Sequence, residues 1–339
     1  MATIRDVAAS AGVSSTTVSR YLNNRIDLPP ATSSRIDTAI RLLDYRPNAN
    51  ARRLSTGKTE SIGLVTPHIN EPFFSELASA VEDEADRHGY TVFMSATRSE
   101  PQREIAAINR LRDRHVDGLI MMPNTTDRDG ALAKLLGKRR DVGLVDGDVP
   151  GAKVPRVLVE NERGTYEATV HLIQAGHRKI AYLGGTIGVS VFDQRRAGYL
   201  RALREAGIPF RRNLLRNCQT THDVGQQAVL ELLALRDPPT AILASCDNLT
   251  VGMILALRAA GVSVPDGISV VAFDDVPMTE FWQPPLTAIR QPIEALGRQG
   301  FLVLNTLLRG EDPPMLTRLP VELISRRSVA APAARHRRA

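Results

Sequence analysis

The chain has 339 residues, with 43 Lys or Arg against 37 Asp or Glu and a formal net charge of +6. That length exceeds one small domain, and its two distant cysteines (Cys218 and Cys246) and seven scattered histidines exclude a disulfide framework or a zinc pattern. The N-terminus carries no apolar leader core and no run is long enough to span a bilayer, so the expectation is a cytoplasmic protein, associated with the nucleoid if it binds DNA, with no membrane partner and no cofactor. Residues 1–60 hold nine Lys or Arg and five Asp or Glu, which places +4 of the +6 at the amino end, as phosphate binding requires.

The first predicted helix follows Thr3, with Asp6 in its first turn and Ile4, Val7, Ala8 and Ala11 on one apolar face. Gly12 ends it where a left-handed backbone is easiest. Ser14 can cap a second helix that buries Val18, Tyr21 and Leu22 and leaves Ser15, Thr16, Ser19 and Arg20 outside, as a recognition helix needs. A third helix is predicted from a Thr32 cap, with Ile36, Ala39, Ile40 and Leu43 on one side. Pro47 stops it, and 48–54 spans about two turns, too short to be stable alone in water. Its Arg52 and Arg53 point to DNA as the partner that orders it.

From Thr3 to Gly63 the chain resembles the headpiece and hinge of the LacI/GalR (lactose-repressor-like) family of transcription regulators. The resemblance is carried by Asp6-Val7-Ala8, Ala11-Gly12-Val13-Ser14, Thr17-Val18-Ser19-Arg20 and Tyr45-Arg46-Pro47-Asn48, with Ala51 and Leu54. It implies a homodimer on a near-palindromic double-stranded operator, with paired hinge helices whose Leu54 side chains wedge into the minor groove; unstacking costs a few kcal/mol, repaid by contacts to the kinked DNA. The implied DNA contacts are Thr3, Ser14, Ser15, Thr16, Thr17, Ser19, Arg20 and Asn23 in the headpiece, and Asn48, Ala51, Arg52, Leu54 and Ser55 in the hinge. Ser55 stands where some members have a minor-groove Lys.

Beyond residue 61, strands are predicted at 62–65, 91–94, 118–121, 142–145, 179–183, 240–244 and 268–273. Amphipathic helices alternate with them at 74–87, 102–114, 163–174, 194–205, 225–235 and 249–260. Short loops and strand–helix alternation, occurring twice, predict two doubly wound parallel-sheet lobes with a ligand cleft between them. The expected organisation is a helix-turn-helix headpiece (1–46), a hinge helix and linker (47–60), a two-lobed effector-binding and dimerisation domain (61–329) and a basic disordered tail (330–339).

The family resemblance continues to about Val329, through stretches such as Gly176-His177-Arg178-Lys179 and Arg195-Arg196-Ala197-Gly198-Tyr199. It implies a periplasmic-binding-protein-like core whose lobes are joined by crossing strands near 157–161, 287–291 and 318–323. By the same resemblance Phe73 and Phe74 stack on a ligand ring, Asp146 is a cleft acid linked to effector response, and Arg195, Asp247 and Asp274 bond ligand oxygens. Trp282, the only Trp, is a candidate second stacking wall. Aromatic faces with carboxylates and an Arg suit a sugar or sugar derivative. The same residues also read as core (Phe73 or Phe74), a helix cap (Asp247), a surface Arg (Arg195) or loop packing (Trp282). Where purine-binding members use Arg, Thr and Phe, this chain has Val189, Val191 and Thr220, and Cys246 replaces a frequent Asn.

An enzyme is disfavoured: Gly184-Gly185-Thr186-Ile187-Gly188 does not have dinucleotide-binding spacing, and no P-loop, G-x-S-x-G elbow or metal cluster is present. A stand-alone sugar-binding protein does not need the headpiece. The expectation is a repressor of a sugar-catabolic operon, with a regulator that acts through a phosphocarrier-protein corepressor as the alternative.

Overall fold

The protein is described by a computed structural model covering residues 2–22, 26–45 and 58–333. Asn23 and the expected hinge contacts Asn48, Ala51, Arg52, Leu54 and Ser55 lie outside the described residues. The chain divides into two compact units between Thr59 and Glu60.

The first unit contains helices α1 (Ile4–Ala11), α2 (Ser15–Leu22) and α3 (Pro30–Leu42). Val7, Ala8, Ala11, Val18, Ile36 and Ala39 form its small core. Gly12 adopts φ 64°, and Val13 N–H donates to Ala8 O at 3.0 Å, closing α1 as expected. Ser14 Oγ accepts the Thr17 N–H at 3.0 Å and caps α2. The third helix starts earlier than predicted. Pro30, not a residue after Thr32, opens it, and the Thr32 N–H already donates to Pro29 O at 2.8 Å. Proline lacks the N–H that a first turn leaves unpaired and has its φ set for a helix, so it outcompetes the threonine cap.

The second unit holds two six-stranded sheets. The first lobe is built from β1 (Ser61–Thr66), β2 (Thr91–Ala96), β3 (Gly118–Met121), β4 (Val142–Val145), β5 (Arg156–Val159) and β11 (Leu316–Leu319), in the order β11-β5-β4-β3-β1-β2. The second is built from β6 (Ile180–Gly184), β7 (Leu215–Asn217), β8 (Ala241–Ala244), β9 (Ser269–Phe273), β10 (Thr287–Arg290) and β12 (Glu322–Ile324), in the order β12-β10-β9-β8-β6-β7. The two orders superpose, β1 on β6 through β5 on β10. Pairing is parallel except β10 with β12. The chain crosses between lobes after β5, after β10 and between β11 and β12, where the expected third crossing strand is broken at Pro320, which cannot donate to a ladder.

Helices α4 (Pro72–Arg87), α5 (Pro101–Asp113) and α6 (Ala131–Leu136) belong to the first lobe. The second carries α7 (Asn161–Gln174), α8 (Ser190–Glu205), α9 (His222–Leu233), α10 (Asp247–Ala259) and α11 (Pro277–Phe281). Helix α12 (Ile293–Leu308) returns to the first lobe and packs on α4 and on β3 to β5. It was not among the predicted elements, although it buries Leu296, Phe301, Val303 and Leu304 on one face. Successive strand residues feed opposite layers: Ile62 and Leu64 enter a central cluster that runs through both lobes, whereas Val65, Leu119 and Met121 enter the outer layer of the first. In Arg195-x-x-Gly198-Tyr199 the glycine is steric: a Cβ there would lie 2.1 Å from Glu162 O, so α8 can seat on α7 only without one. Tyr199 then donates to Ile180 O at 2.9 Å.

The expected tail begins too early. Ala330 N–H donates to Ser269 Oγ at 3.1 Å, and its carbonyl lies 2.9 Å from His177 Nε2, so Ala330 is docked on the second lobe. Residues 334–339 lie outside the described residues.

Candidate functional site

On the headpiece, the outward face of α2 presents Thr16 and Arg20 exposed, with Ser15 and Ser19 half-buried. Tyr21 hydroxyl donates to Asp37 at 3.1 Å, fixing α2 on α3. Not every predicted contact side chain is uncommitted. The Ser14 and Thr17 hydroxyls are 2.8 Å apart at the cap, and Thr3 donates from both N–H and hydroxyl to Asp6 Oδ2 at 2.8 Å. Thr16 and Arg20 are therefore the groups best placed to reach outward.

In the core, the carboxyl ends of the strands face each other across the interlobe cleft. Asp146 follows β4 and Asp274 follows β9, the matching strands of the two lobes. Both adopt left-handed backbone, φ 68° and 78°. Each N–H donates to the neighbouring crossing strand, Asp146 to Val157 O at 2.9 Å and Asp274 to Ile289 O at 3.0 Å. Such backbone costs about 1–3 kcal/mol per residue and persists where the surroundings over-determine it, which is typical of ligand sites. Gly147 completes the first turn, donating to Val145 O at 2.8 Å.

Arg195, on α8, is 3% exposed. Its Nε donates to Asn161 Oδ1 and its Nη1 to Ser245 O, both at 2.7 Å, and its guanidinium sits 3.6 Å from the Phe273 ring centroid. Asp274 Oδ2 is 3.9 Å from Nη1 and accepts the Asp247 N–H at 3.3 Å, while Gln291 Nε2 donates to Asp274 Oδ1 at 2.5 Å. Asp247 opens α10 and accepts the Asn248 N–H at 2.7 Å, so it is a helix-terminal group as well as a cleft group. Across the lobes, the Phe73 N–H reaches Asp247 Oδ2 at 3.5 Å.

Two neighbouring chambers result, with Glu71, Asn124, Phe192 and Thr220 in the walls of both. The inner one, ≈ 30 Å³, has Glu71, Phe73, Phe74, Asp146, Phe192, Arg195, Asp247 and Asp274 among its walls. The outer one, ≈ 620 Å³, has among its walls the polar residues His68, Arg98, Asn124, Thr125, Thr220 and Asn248. All six expected core site residues other than Trp282 thus line the inner chamber, namely Phe73, Phe74, Asp146, Arg195, Asp247 and Asp274, and the two rings double as core, 5.2 Å apart edge to face. Trp282 is the exception. It packs against the apolar cluster of the second lobe and lines neither chamber, because α11 ends at Phe281 and turns the loop onto the core. Glu71, Asn161, Phe192 and Gln291 were not singled out as site residues in the sequence. Glu71 lies two residues before the expected Phe73, and Gln291 at the end of an expected crossing strand; nothing local marked Asn161 as the partner of an Arg 34 positions on.

Burial dominates the electrostatics. It pushes the Asp146 carboxyl up to about 7 against the pull of Arg195. Burial and then repulsion from Asp247 push Glu71 to about 7, and burial and then Asp274 push Asp247 to about 6. Asp274 is raised by burial despite Arg195. Asp275, next in sequence, behaves oppositely: burial would raise it, but Arg326, Thr279 and Arg290 outweigh burial and hold it below the ordinary range. Folding therefore favours the protonated forms of the cleft acids. That contribution is full below about pH 4 and is lost as pH rises through about 6 to 7. Asp146→Asn should accordingly gain stability relative to the unsubstituted protein between pH 5 and pH 8, by on the order of 1 kcal/mol or more at 1.36 kcal/mol per pKa unit. Urea midpoints at the two pH values check this; a stability difference that does not change with pH contradicts it.

Comparison with known proteins matches both units. Residues 3–48 match the family described as "Bacterial regulatory proteins, lacI family", and residues 59–327 match "Periplasmic binding proteins and sugar binding domain of LacI family". The chain belongs to the LacI family. Its relatives include the HTH-type transcriptional regulator DegA of Bacillus subtilis (strain 168), 33% identical over 97% of this chain and 98% of that protein. The HTH-type transcriptional repressor PurR of Actinobacillus pleuropneumoniae serotype 3 (strain JL03) is 34% identical over 97% and 98%. Among solved structures, the lac repressor dimer bound to operator and the anti-inducer ONPF is similar with a TM-score of 0.87 and 29% identity, covering 97% of this chain and 99% of that one. As a LacI-family protein the chain is an effector-responsive, DNA-binding transcriptional repressor and not an enzyme. Among the described residues no helix is long and apolar enough to cross a membrane, and no group of His, Cys, Asp and Glu is arranged to hold a metal ion.

Proposed function

We propose that this LacI-family repressor senses a sugar or sugar derivative in the interlobe cleft and represses a catabolic operon. The observation that carries the reading is the pairing of Asp146 and Asp274 from opposite lobes around the buried Arg195, beside Phe73 and Phe74. Carboxylates accept hydroxyl protons and the rings cover an apolar sugar face. Because the acids come from both lobes, a ligand that bridges them favours one interlobe angle. It thereby biases the spacing of two hinges in a dimer, and with it their ability to order on DNA. Val189, Val191 and Thr220 line the chambers with short side chains, so at these three positions a purine base meets neither a stacking ring nor a charged donor. A thermal-shift screen of neutral sugars, sugar acids and sugar phosphates, with purine bases as a separate arm, tests the proposal. Stabilisation by a purine base alone overturns it.

The proposed DNA-binding unit is 1–46, with 47–60 as hinge and Leu54 as the minor-groove wedge. Homodimerisation is supported by apolar surface that a second copy would cover: Phe93 and Met94 are about half exposed on β2, at the open edge of the first sheet, and Phe281 is 79% exposed. For direct readout, a base-specific pair is worth about 1–3 kcal/mol of discrimination. Thr16→Ala should relax preference at one or two symmetric operator positions in a binding-site selection. An unchanged selected motif removes Thr16 from the interface.

A further inference from the structure

The inner chamber is electrostatically unbalanced. Glu71, Asp146, Asp247 and Asp274 line it with a single basic residue, Arg195. Much of that cation is already committed, to Asn161, to the Ser245 carbonyl and to the Phe273 ring, and its approach to Asp274 is no closer than 3.9 Å. Asp146, 5% exposed, has an Oδ1 with no hydrogen-bond partner among the described residues. Three aromatic rings, Phe73, Phe74 and Phe192, share the walls. Carboxylates interleaved with ring faces form a cage for a cation: the acids supply charge, and the rings supply the negative face of their quadrupole. Without a cation these buried carboxyls offset their charge by holding protons, Asp146 and Glu71 up to about 7; an ammonium takes the place of those protons, a neutral polyol does not, and an acidic sugar adds to the charge.

We propose that the effector carries a protonated amine, as an amino sugar or a comparably hydroxylated ammonium compound does. The inner chamber, ≈ 30 Å³, has room for a head group of one or two water-sized units. The ammonium sits there, donating to Asp146 Oδ1 from the first lobe and to the Asp274 and Asp247 carboxylates of the second. The hydroxylated body occupies the outer chamber, where Asn124, Thr125, Thr220 and Asn248 offer hydrogen bonds. One charged group bridging acids of both lobes gives a direct link between ligand occupancy and the interlobe angle. Other ionisable groups around the chamber do not supply the missing charge: Cys246 is buried with its thiol pushed far up, and His68 and Arg98 line only the outer chamber. This inference rests on the cleft being the effector site.

Calorimetric titration of the full chain at pH 7.5, in an amine-free phosphate buffer, tests it. The probes are glucosamine, galactosamine and mannosamine, each against its parent sugar, its N-acetyl derivative and the matching uronic acid. At least one amine is expected to bind at least tenfold more tightly than its neutral parent and its N-acetyl form, which keeps the size and loses the charge. Asp146→Asn should shrink that preference toward parity, weakening the amine by a clearly larger factor than its neutral parent. If Asp146→Asn does not fold, Glu71→Gln carries the same comparison. A neutral or acidic sugar that binds as tightly as its amine overturns the inference and leaves the sugar-sensing cleft standing. So does a substitution that weakens charged and neutral probes equally. Absence of binding by every probe overturns both.

Discussion

Arg195→Ala should both unsettle the core and abolish the response to effector. The guanidinium holds Asn161 at the crossing into the second lobe, the Ser245 carbonyl before α10 and the face of Phe273, and it is the one basic group among the inner-chamber acids. Removing one partner from a buried charge cluster costs about 3–5 kcal/mol, because the remaining charges stay buried without compensation. For a core of this size each kcal/mol shifts the melting temperature by roughly 2–4 °C, so a drop on the order of 10 °C is expected. Part of the loss should be recovered at low pH, where Asp146, with its carboxyl near 7, takes up a proton. Effector affinity should fall at least about tenfold, one decade being about 1.4 kcal/mol, because the acids that bond the effector lose the cation beside them and the Asn161, Ser245 and Phe273 contacts that order the cleft wall. Arg195→Lys should not restore either property, because an ammonium cannot serve the divergent Asn161 and Ser245 contacts or stack on Phe273 as a planar guanidinium does. If effector is an inducer, the variant stays on its operator at all effector concentrations; if it is a corepressor, the variant fails to repress. Differential scanning calorimetry and titration decide the matter: wild-type melting and wild-type affinity together would remove Arg195 from both roles.

Deleting residues 1–59 should leave a folded, effector-binding core with no specific operator affinity. The division between Thr59 and Glu60 falls just before β1, whose Ser61 carbonyl already accepts the Asp117 N–H at 2.7 Å, so the core keeps its first strand intact. The recognition helix and most of the chain's positive excess are lost with the deleted segment. Specific binding by such regulators exceeds non-specific binding by typically 10³-fold or more, so the truncated core should show at least that loss on an operator obtained by in vitro selection with the full chain. The full chain's affinity should fall steeply with salt as phosphate contacts release counterions, and the truncated core should show no such slope. Fluorescence anisotropy across a salt series reads both quantities. Specific, salt-dependent binding by the truncated core would place the DNA site elsewhere.

The headpiece was legible residue by residue because its signals are local. Gly12 supplies the left-handed cap, Ser14 accepts the Thr17 N–H three positions on, and Val7, Ala11 and Val18 follow helical spacing into one small core. The one displaced boundary, Pro30 for Thr32, arose where two local signals competed and the one that removes an unpaired N–H prevailed. Strand–helix alternation likewise announced two parallel-sheet lobes, since a strand buried on both faces is apolar throughout.

The cleft divides differently. The family resemblance marked Asp146, Arg195, Asp247 and Asp274 position by position, whereas residue type alone left Asp247 readable as a helix cap and Arg195 as a surface group. What identity could not reveal was their arrangement. The matching left-handed turns of Asp146 and Asp274 exist because corresponding strands of two lobes end at the same cleft. The Arg195–Asn161 bond joins two helices whose close seating depends on Gly198. Trp282 looked like a stacking wall by residue type, yet the path of its loop turned it onto the core. Short-range hydrogen bonding and periodicity are written within a few residues of chain, so the amino-acid sequence by itself determined the recognition helix, the lobes and the acids of the cleft. Which charges face one another, and that four acids share one arginine, was decided only by the tertiary structure, because desolvation and Coulomb energy depend on distances between residues up to 203 positions apart, as from Glu71 to Asp274.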